Sequence, residues 1–342
     1  MWESRVRPQT LSLEKGNEVA HDCKKILVTS DINDVDVEIR ESLVTPLSGP
    51  RLLSPIVFHS NPTADLRNLL TPTLGLPIAH KSTPSIEGTG GFFVKCGDSK
   101  KLFLVTACHV VFNPKTDGNN TFKHQTSAPR QDVLILGDSR FKLLLTHIEK
   151  KIELLSDCIS VHEKRIKLFE NIATEEAIEE CTINRNELAR VEKAMGTLQT
   201  FHDDISKRWT NKDMRVLGHV IYSPPIEFDV GAEQCTQDFA IIEINPSKID
   251  DTNFKGNVID LGTTISPGVF TRMMYSSNPS AHSFSYPDDC LLKLDGTIPL
   301  YDMQHPPDLD QHGEPCLTVI MHGGATGLSV GRANWWREFR RS

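Results

Sequence analysis

Gly88-Thr-Gly-Gly-Phe-Phe-Val-Lys95 and Leu102-Phe-Leu-Val-Thr-Ala-Cys-His-Val-Val-Phe112 are two apolar runs separated by the short polar turn Gly97-Asp-Ser-Lys100. Paired runs of this length around a turn predict a β-hairpin. The small residues Thr106 and Ala107 bring His109 to the point where the second run ends. An imidazole there is placed for general-base work at the rim of a sheet, although a buried histidine in an ordinary strand is the plainer reading of the same residue.

Working outward, Asp132-Val-Leu-Ile-Leu-Gly137 reads as a further short strand. The pattern then changes period. Leu145, Ile148, Ile152, Leu155, Ile159, His162, Ile166 and Phe169 recur at intervals of three and four, as do Ala177, Cys181, Asn184, Leu188, Val191, Met195, Leu198, His202, Ile205 and Trp209. Two heptad seams joined by a short connection predict a helical hairpin over 141–209, with Thr174, Glu175 and Glu176 supplying the cap and first-turn acids of the second arm. Folding about the connection sets His162 near Asn184, a polar layer that fixes register. Strand patterning returns at Val216–Tyr222 and Thr236–Ile244, the latter with Asp238 just before its apolar run. Asp238 alone could equally be the cap of a strand or turn.

Upstream, residues 1 to about 33 are polar and aperiodic and read as a loose leader, whereas Val35, Val37 and Ile39 alternate with Asp36, Glu38 and Arg40 as a half-buried strand would. The prolines between 46 and 84 suggest an extended arm. Downstream, Asn253–Gly262 is expected to close the barrel, 263–313 to be irregular, and Cys316–Met321 with Ala325–Gly331 to form paired strands around a glycine turn. Trp335, Trp336 and Phe339 then sit among arginines, as in a segment that packs on something else.

A glycine-rich strand followed by one ending Thr-Ala-Cys-His-Val resembles the first barrel of the trypsin-like serine peptidases, and the resemblance extends along most of the chain to a fungal intracellular type. It implies His109 as general base and Asp238 as the acid that orients it. With the hairpin set aside as a loop insertion, their separation is comparable with that of base and orienter in chymotrypsin. Cys108 precedes the histidine and Val110 follows it, unlike the bridging cysteine after the histidine in secreted members. The nucleophile serine that the family carries in Gly-Asp-Ser-Gly is absent after Asp238. The expected fold is mainly β with an inserted α-helical hairpin: an N-terminal arm (1–80), a trypsin-like first β-barrel (81–140 and 210–262), the hairpin (141–209), and a connection with an incomplete second barrel (263–342). The expected function is that of a peptidase homologue, truncated or decayed before its serine and inactive as a peptidase.

Two other constellations compete. Val133-Leu-Ile-Leu-Gly-Asp-Ser139 resembles the opening block of GDSL esterases, and Asp302-Met-Gln-His305 fits their closing Asp and His; a turn between strand and helix explains Ser139 as well. Gly327-Leu-Ser-Val-Gly331 matches a nucleophile elbow, but its acid and histidine would have to follow within eleven residues. A metal site from His305, Asp308, Asp310 and His312 competes with a plain acidic loop.

Composition narrows the classes. A chain of 342 residues with net charge −8 and no basic run is not that of a nucleic-acid binder. Eight cysteines without a C-x-x-C argue against zinc and against a disulfide framework, and suggest free thiols in a reducing compartment. The first residues lack a signal-peptide core and no later run has membrane-span length, so a cytoplasmic or nuclear location is expected. No cofactor and no metal are expected. The expected partner is a protein or peptide, met through the hairpin or an exposed C-terminal edge; the third candidate role is that of a non-catalytic scaffold.

Overall fold

In the first 47 residues, β1 (Trp2–Val6) runs parallel to β2 (Val37–Glu41), and α1 (Leu13–Thr29) lies between them in sequence. Ser12 Oγ accepts the Lys15 amide and Glu14 sits in the first turn, so this start is capped and charge-matched. Residues expected as a loose leader are therefore helical. None of α1 is buried, although Val19, Ala20, Cys23, Ile26 and Leu27 recur at helical spacing along one face. The computed structural model describes residues 2–6, 11–41, 49–56, 60–97, 101–231, 234–275, 284–306, 308–310, 312–324 and 326–334, and the chain divides into two compact units, 1–47 and 48–342.

The second unit opens with the short helix α2 (Ala64–Arg67) and is built on an antiparallel sheet that curls into a half-barrel. Its strands are β3 (Pro77–His80), β4 (Glu87–Thr89), β5 (Phe92–Lys95) and β6 (Leu102–Thr106), then, past the one-turn helix α3 (Cys108–Val111), β7 (Phe122–Lys123) and β8 (Asp132–Ile135). Next come the long helices α4 (Asp138–Phe169) and α5 (Glu175–Trp209), the strand β9 (Val216–Ser223), the small pair β10 (Glu227–Val230) and β11 (Cys235–Gln237), and β12 (Ala240–Ile244). The strand order is β4-β3-β8-β9-β12-β6-β5, with β7 also on β9. The two ends of this order are neighbours in the chain. Gly90 donates its amide to Leu76 O and Gly91 to Val105 O, so one bent strand passes from β3 on one side to β6 on the other.

The strand β3 was expected in the arm, and its membership of the sheet moves the barrel's start ahead of residue 81. All four of its residues are buried, so it carries no in-out alternation for the sequence to display. The expected hairpin at 88–112 is present as β5 and β6, with Phe92 opposite Val105 and Lys95 opposite Leu102; residues 98–100 of its turn lie outside the described residues.

The two long helices, of 32 and 35 residues, are about 48 and 52 Å long at ~1.5 Å per residue and pack on each other along the expected seams. His162 Nδ1 donates to Asn184 Oδ1 at 2.9 Å, and Asn184 Nδ2 donates to the Glu180 carbonyl at 2.8 Å. Only the inner part of the pair joins the core. Phe141, Leu144 and Ile148 of α4 and Leu198, Phe201, Ile205 and Trp209 of α5 cluster with Ile78, Leu104, Ile135, Val220 and Ile242 of the sheet. The base of the pair is fastened electrostatically. Buried Arg215 donates to Leu136 O, Gly137 O and Asp138 Oδ1, its guanidinium lies 4.6 Å from the Phe141 ring centre, and Lys212 also pairs with Asp138. The Glu87 carboxylate accepts the Arg140 amide in the first turn of α4.

Beyond β12 the expected closing strand is β13 (Val258–Asp260), but it pairs with β14 (Leu291–Lys293) in a separate ribbon instead of joining the half-barrel. Between them α6 (Pro267–Met274) begins with Ser266 and a proline in the first turn, so 263–313 is not wholly irregular; α7 (Leu300–Gln304) and β15 (Asp308–Leu309) follow. The expected C-terminal pair forms as β16 (Pro315–Gly323) and β17 (Gly327–Asn334). Ile320, Leu328 and Val330 pack on the core, and His322 Nδ1 donates to Leu74 O at 2.6 Å. Trp335, Trp336 and Phe339 lie outside the described residues.

Candidate active site

The register of β6 and β12 decides where the site lies. Ala240 pairs with Thr106, so two residues before β12 and two after β6 the chains reach the same rim, bringing Asp238 opposite Cys108 and His109. At that point β6 gives way to α3, whose Val110 and Val111 are buried and leave His109 facing outward. Gly88 makes room for this turn: a Cβ there would lie 2.3 Å from a Val110 methyl. Thr106 Oγ1 donates to Thr89 O at 2.8 Å and ties β6 to the end of β4 below the rim.

Asp238 grips His109 twice. Its Oδ2 is 2.6 Å from His109 Nδ1, and its Oδ1 accepts the His109 backbone amide at 3.3 Å. The carboxylate accepts, so Nδ1 carries the proton and Nε2 is left with its lone pair. The imidazole side chain is 61% exposed and the aspartate 23%. Among the described residues, no hydroxyl or thiol hydrogen-bonds to Nε2. The Cys108 thiol is buried, and Ser223, also buried, donates to Phe239 O at 2.9 Å. Burial pushes the Cys108 thiol up, the Ser223 hydrogen bond pulls the other way, and the Asp238 charge adds a smaller upward push.

The remaining candidates do not assemble. Ser139 is exposed in the first turn of α4. His305 sits at the end of α7, donates Nδ1 to Tyr301 O at 3.1 Å and stacks on the Tyr301 ring. Among the described residues no hydrogen bond links Ser139 with Asp302 or His305. Ser329 lies within β17, paired with Met321 in a regular ladder, so the Gly327–Gly331 stretch has no strand-to-helix elbow. No group of three or more His, Cys, Asp or Glu in metal-binding proximity occurs among the described residues, and all eight cysteines are free thiols. No helix is long and apolar enough to cross a membrane among them.

Beside α3 lies a cleft of about 400 Å³ that sequence patterning did not reveal. Its walls include Cys108, Phe112, Asp117, Gln131 and the buried His80. His80 Nε2 lies 3.1 Å from Gln131 Oε1 and Nδ1 lies 2.7 Å from Ser82 Oγ. With Nε2–H donating to the amide oxygen, Nδ1 accepts the serine hydroxyl and the ring is neutral. Burial holds its pKa down against the Gln131 hydrogen bond and the Asp117 and Asp132 charges. The three residues come from β3, a following turn and the lead into β8, and no motif spacing could have joined them. No family model, curated protein or solved structure matches this chain.

Proposed function

We propose that this chain is a non-catalytic homologue of the trypsin-like serine peptidases, carrying the base and orienter of their triad without its nucleophile. The observation that carries the reading is the double contact of Asp238 with His109, on Nδ1 and on the backbone amide, at the rim of two neighbouring strands. The sheet order supports it. Taking β4 and β5 as one bent strand, β8, β3, β4/β5 and β6 lie in the Greek-key order 4-1-2-3, and β9 and β12 complete six antiparallel strands around one core. On this reading α4 and α5 are an insertion in a trypsin-like barrel, and β16 and β17 belong to the start of a second one.

The chemistry follows from the tautomer. Asp238 holds the proton on Nδ1, which aims the Nε2 lone pair outward, where a hydroxyl nucleophile would surrender its proton; the aspartate then stabilises the imidazolium. The chain supplies the acceptor and its electrostatic support. Without a serine on Nε2 and an oxyanion hole around it, acyl transfer does not proceed.

The test combines chemical labelling with nitrogen-resolved NMR of the histidine side chains. A fluorophosphonate probe leaves the folded chain unmodified, while His109 is found as the Nδ1–H tautomer and loses that bias in Asp238→Ala. An adduct on a serine downstream of Asp238 would show a working nucleophile. An Nε2–H tautomer in the unmodified protein would remove the base–orienter pair, and with it the basis of the reading.

A further inference from the structure

The cleft beside α3 has a chemistry of its own, apart from the His109–Asp238 pair. Phe112 and Phe122 line it, their ring centres 5.0 Å apart and their planes tilted by 45°, and the His80 ring centre lies 6.3 Å from Phe112. Asp117 is the one charged group among its lining residues, since the His80 ring is neutral and no lysine or arginine belongs to the wall.

Oxygen acceptors remain available on that wall. Ser82 spends its proton on His80 Nδ1, and Gln131 Oε1 takes one N–H from the same ring, so each oxygen keeps a lone pair. Asp117 accepts the Asn113 amide at 2.8 Å on one carboxylate oxygen and the Thr116 hydroxyl at 3.2 Å on the other, which fixes its direction without exhausting it. Asn119 stiffens the same loop by a two-way pairing with the Ile226 backbone, donating at 2.8 Å and accepting at 2.6 Å. Walls fixed beforehand lose little freedom when a ligand enters.

Phenyl faces, one carboxylate and neutral oxygens together suit a flat organic cation. A guanidinium stacks on aromatic rings, is weakly hydrated and brings five N–H donors with no acceptor. An ammonium gives up more hydration for the same charge, and an anion would meet Asp117 with no cation to offset it. A volume of about 400 Å³ admits one long side chain. The side chains of Asn120 and Thr121, on the same wall, make no hydrogen bond among the described residues and are free to meet the backbone that carries the cation.

We propose that the cleft beside α3, with Asp117 and the rings of Phe112 and Phe122, receives an arginine side chain of a partner protein or peptide. The site is independent of the role assigned to His109.

NMR titration of the full chain with the capped peptide acetyl-Gly-Gly-Arg-Gly-Gly-amide tests it, read on the phenylalanine rings and the Gln131 and Asn120 side-chain amides. Saturable shifts confined to these groups are expected. The same peptide with citrulline, which keeps the shape and loses the charge, is expected to bind at least about tenfold more weakly. In Asp117→Asn, whose amide oxygen can still accept the Asn113 N–H, the arginine peptide falls to the level of the citrulline one while circular dichroism is unchanged. No saturable shift at millimolar peptide, or equal affinity for the two peptides, would overturn the site. A preference for arginine that survives in Asp117→Asn would overturn the role of the carboxylate. Tighter binding of free arginine than of the peptide would replace the partner chain by a small guanidino compound.

Discussion

Lys248 is an ammonium group with no exposed surface, held by the carbonyls of Pro50 and Met214 and lying 5.9 Å from the centre of the Trp209 ring. Burial pushes its pKa down to about 8. The unfolded lysine keeps its proton to about pH 10.4, so between these values the unfolded chain binds more protons than the folded one. Stability contributed at this position therefore rises as pH climbs from about 8 towards 10.4, and the cost of burying the charge is fully present below 8. In denaturant titrations the wild type is expected to gain about 2 kcal/mol relative to Lys248→Met over that interval. Parallel pH profiles of the two proteins would refute the assignment. At this scale the sequence was legible where a residue sat at a pattern's edge, as His109 and Asp238 do. It was silent where tertiary folding made the environment: nothing near Lys248, His80 or Arg215 in sequence distinguishes them from surface residues.

Among the elements, legibility followed periodicity. The seams of α4 and α5 were readable because Leu145, Ile148, Ile152 and their counterparts face one direction over many turns, and the His162–Asn184 layer followed from that folding. The helix α1 was missed although both signals were there, Ser12 with Glu14 as a cap and Val19, Ala20, Cys23, Ile26 and Leu27 at helical spacing. For β3 the difficulty lay in its uniform burial, since a short strand with every residue buried has no alternation to read, whereas β13 was expected as a strand and only its partner differed. The two faces of a long helix differ in energy as they do in exposure. Ile148→Ala, at a fully buried position under the half-barrel, is expected to cost about 2–5 kcal/mol, and Ile178→Ala, 59% exposed on α5, no more than about 0.5 kcal/mol. Urea denaturation at low protein concentration measures both; equal losses would mean that α4 does not form part of the core.

For the whole molecule, the distribution of core residues says how much of the helix pair the fold requires. Everything that ties the pair to the sheet lies on the sheet side of Leu155 and Val191. Replacing 156–190 by a short glycine-rich loop is therefore expected to leave a soluble protein with the same near-ultraviolet spectrum and cooperative unfolding. Removing 138–212 entirely would uncover Ile135, Leu136 and Leu217 and produce aggregates. A soluble, cooperative product of the larger excision would show that the half-barrel is closed without its helices. The sequence conveyed the presence of strands before and after the helices but not their order. Order depends on which distant edges meet, and a bent strand at Gly90 and Gly91 is seen only once both of its neighbours are in place.

The same helix pair bears on the route by which the chain folds. Leu134 and Val216 are partners in the ladder of β8 and β9, yet a long stretch of chain separates them, and closing so wide a loop by diffusion carries a large entropic cost. Helices form within about a microsecond and two joined end to end need only local contacts to collapse on each other. Once α4 and α5 have zipped along their seam, the ends at Asp138 and Arg215 arrive together, already carrying opposite charges. That distant pairing thereby becomes one of the earliest available, and the slow encounters are left to β3 with β8 and to β6 with β12, the latter still wider in sequence, which no helix escorts.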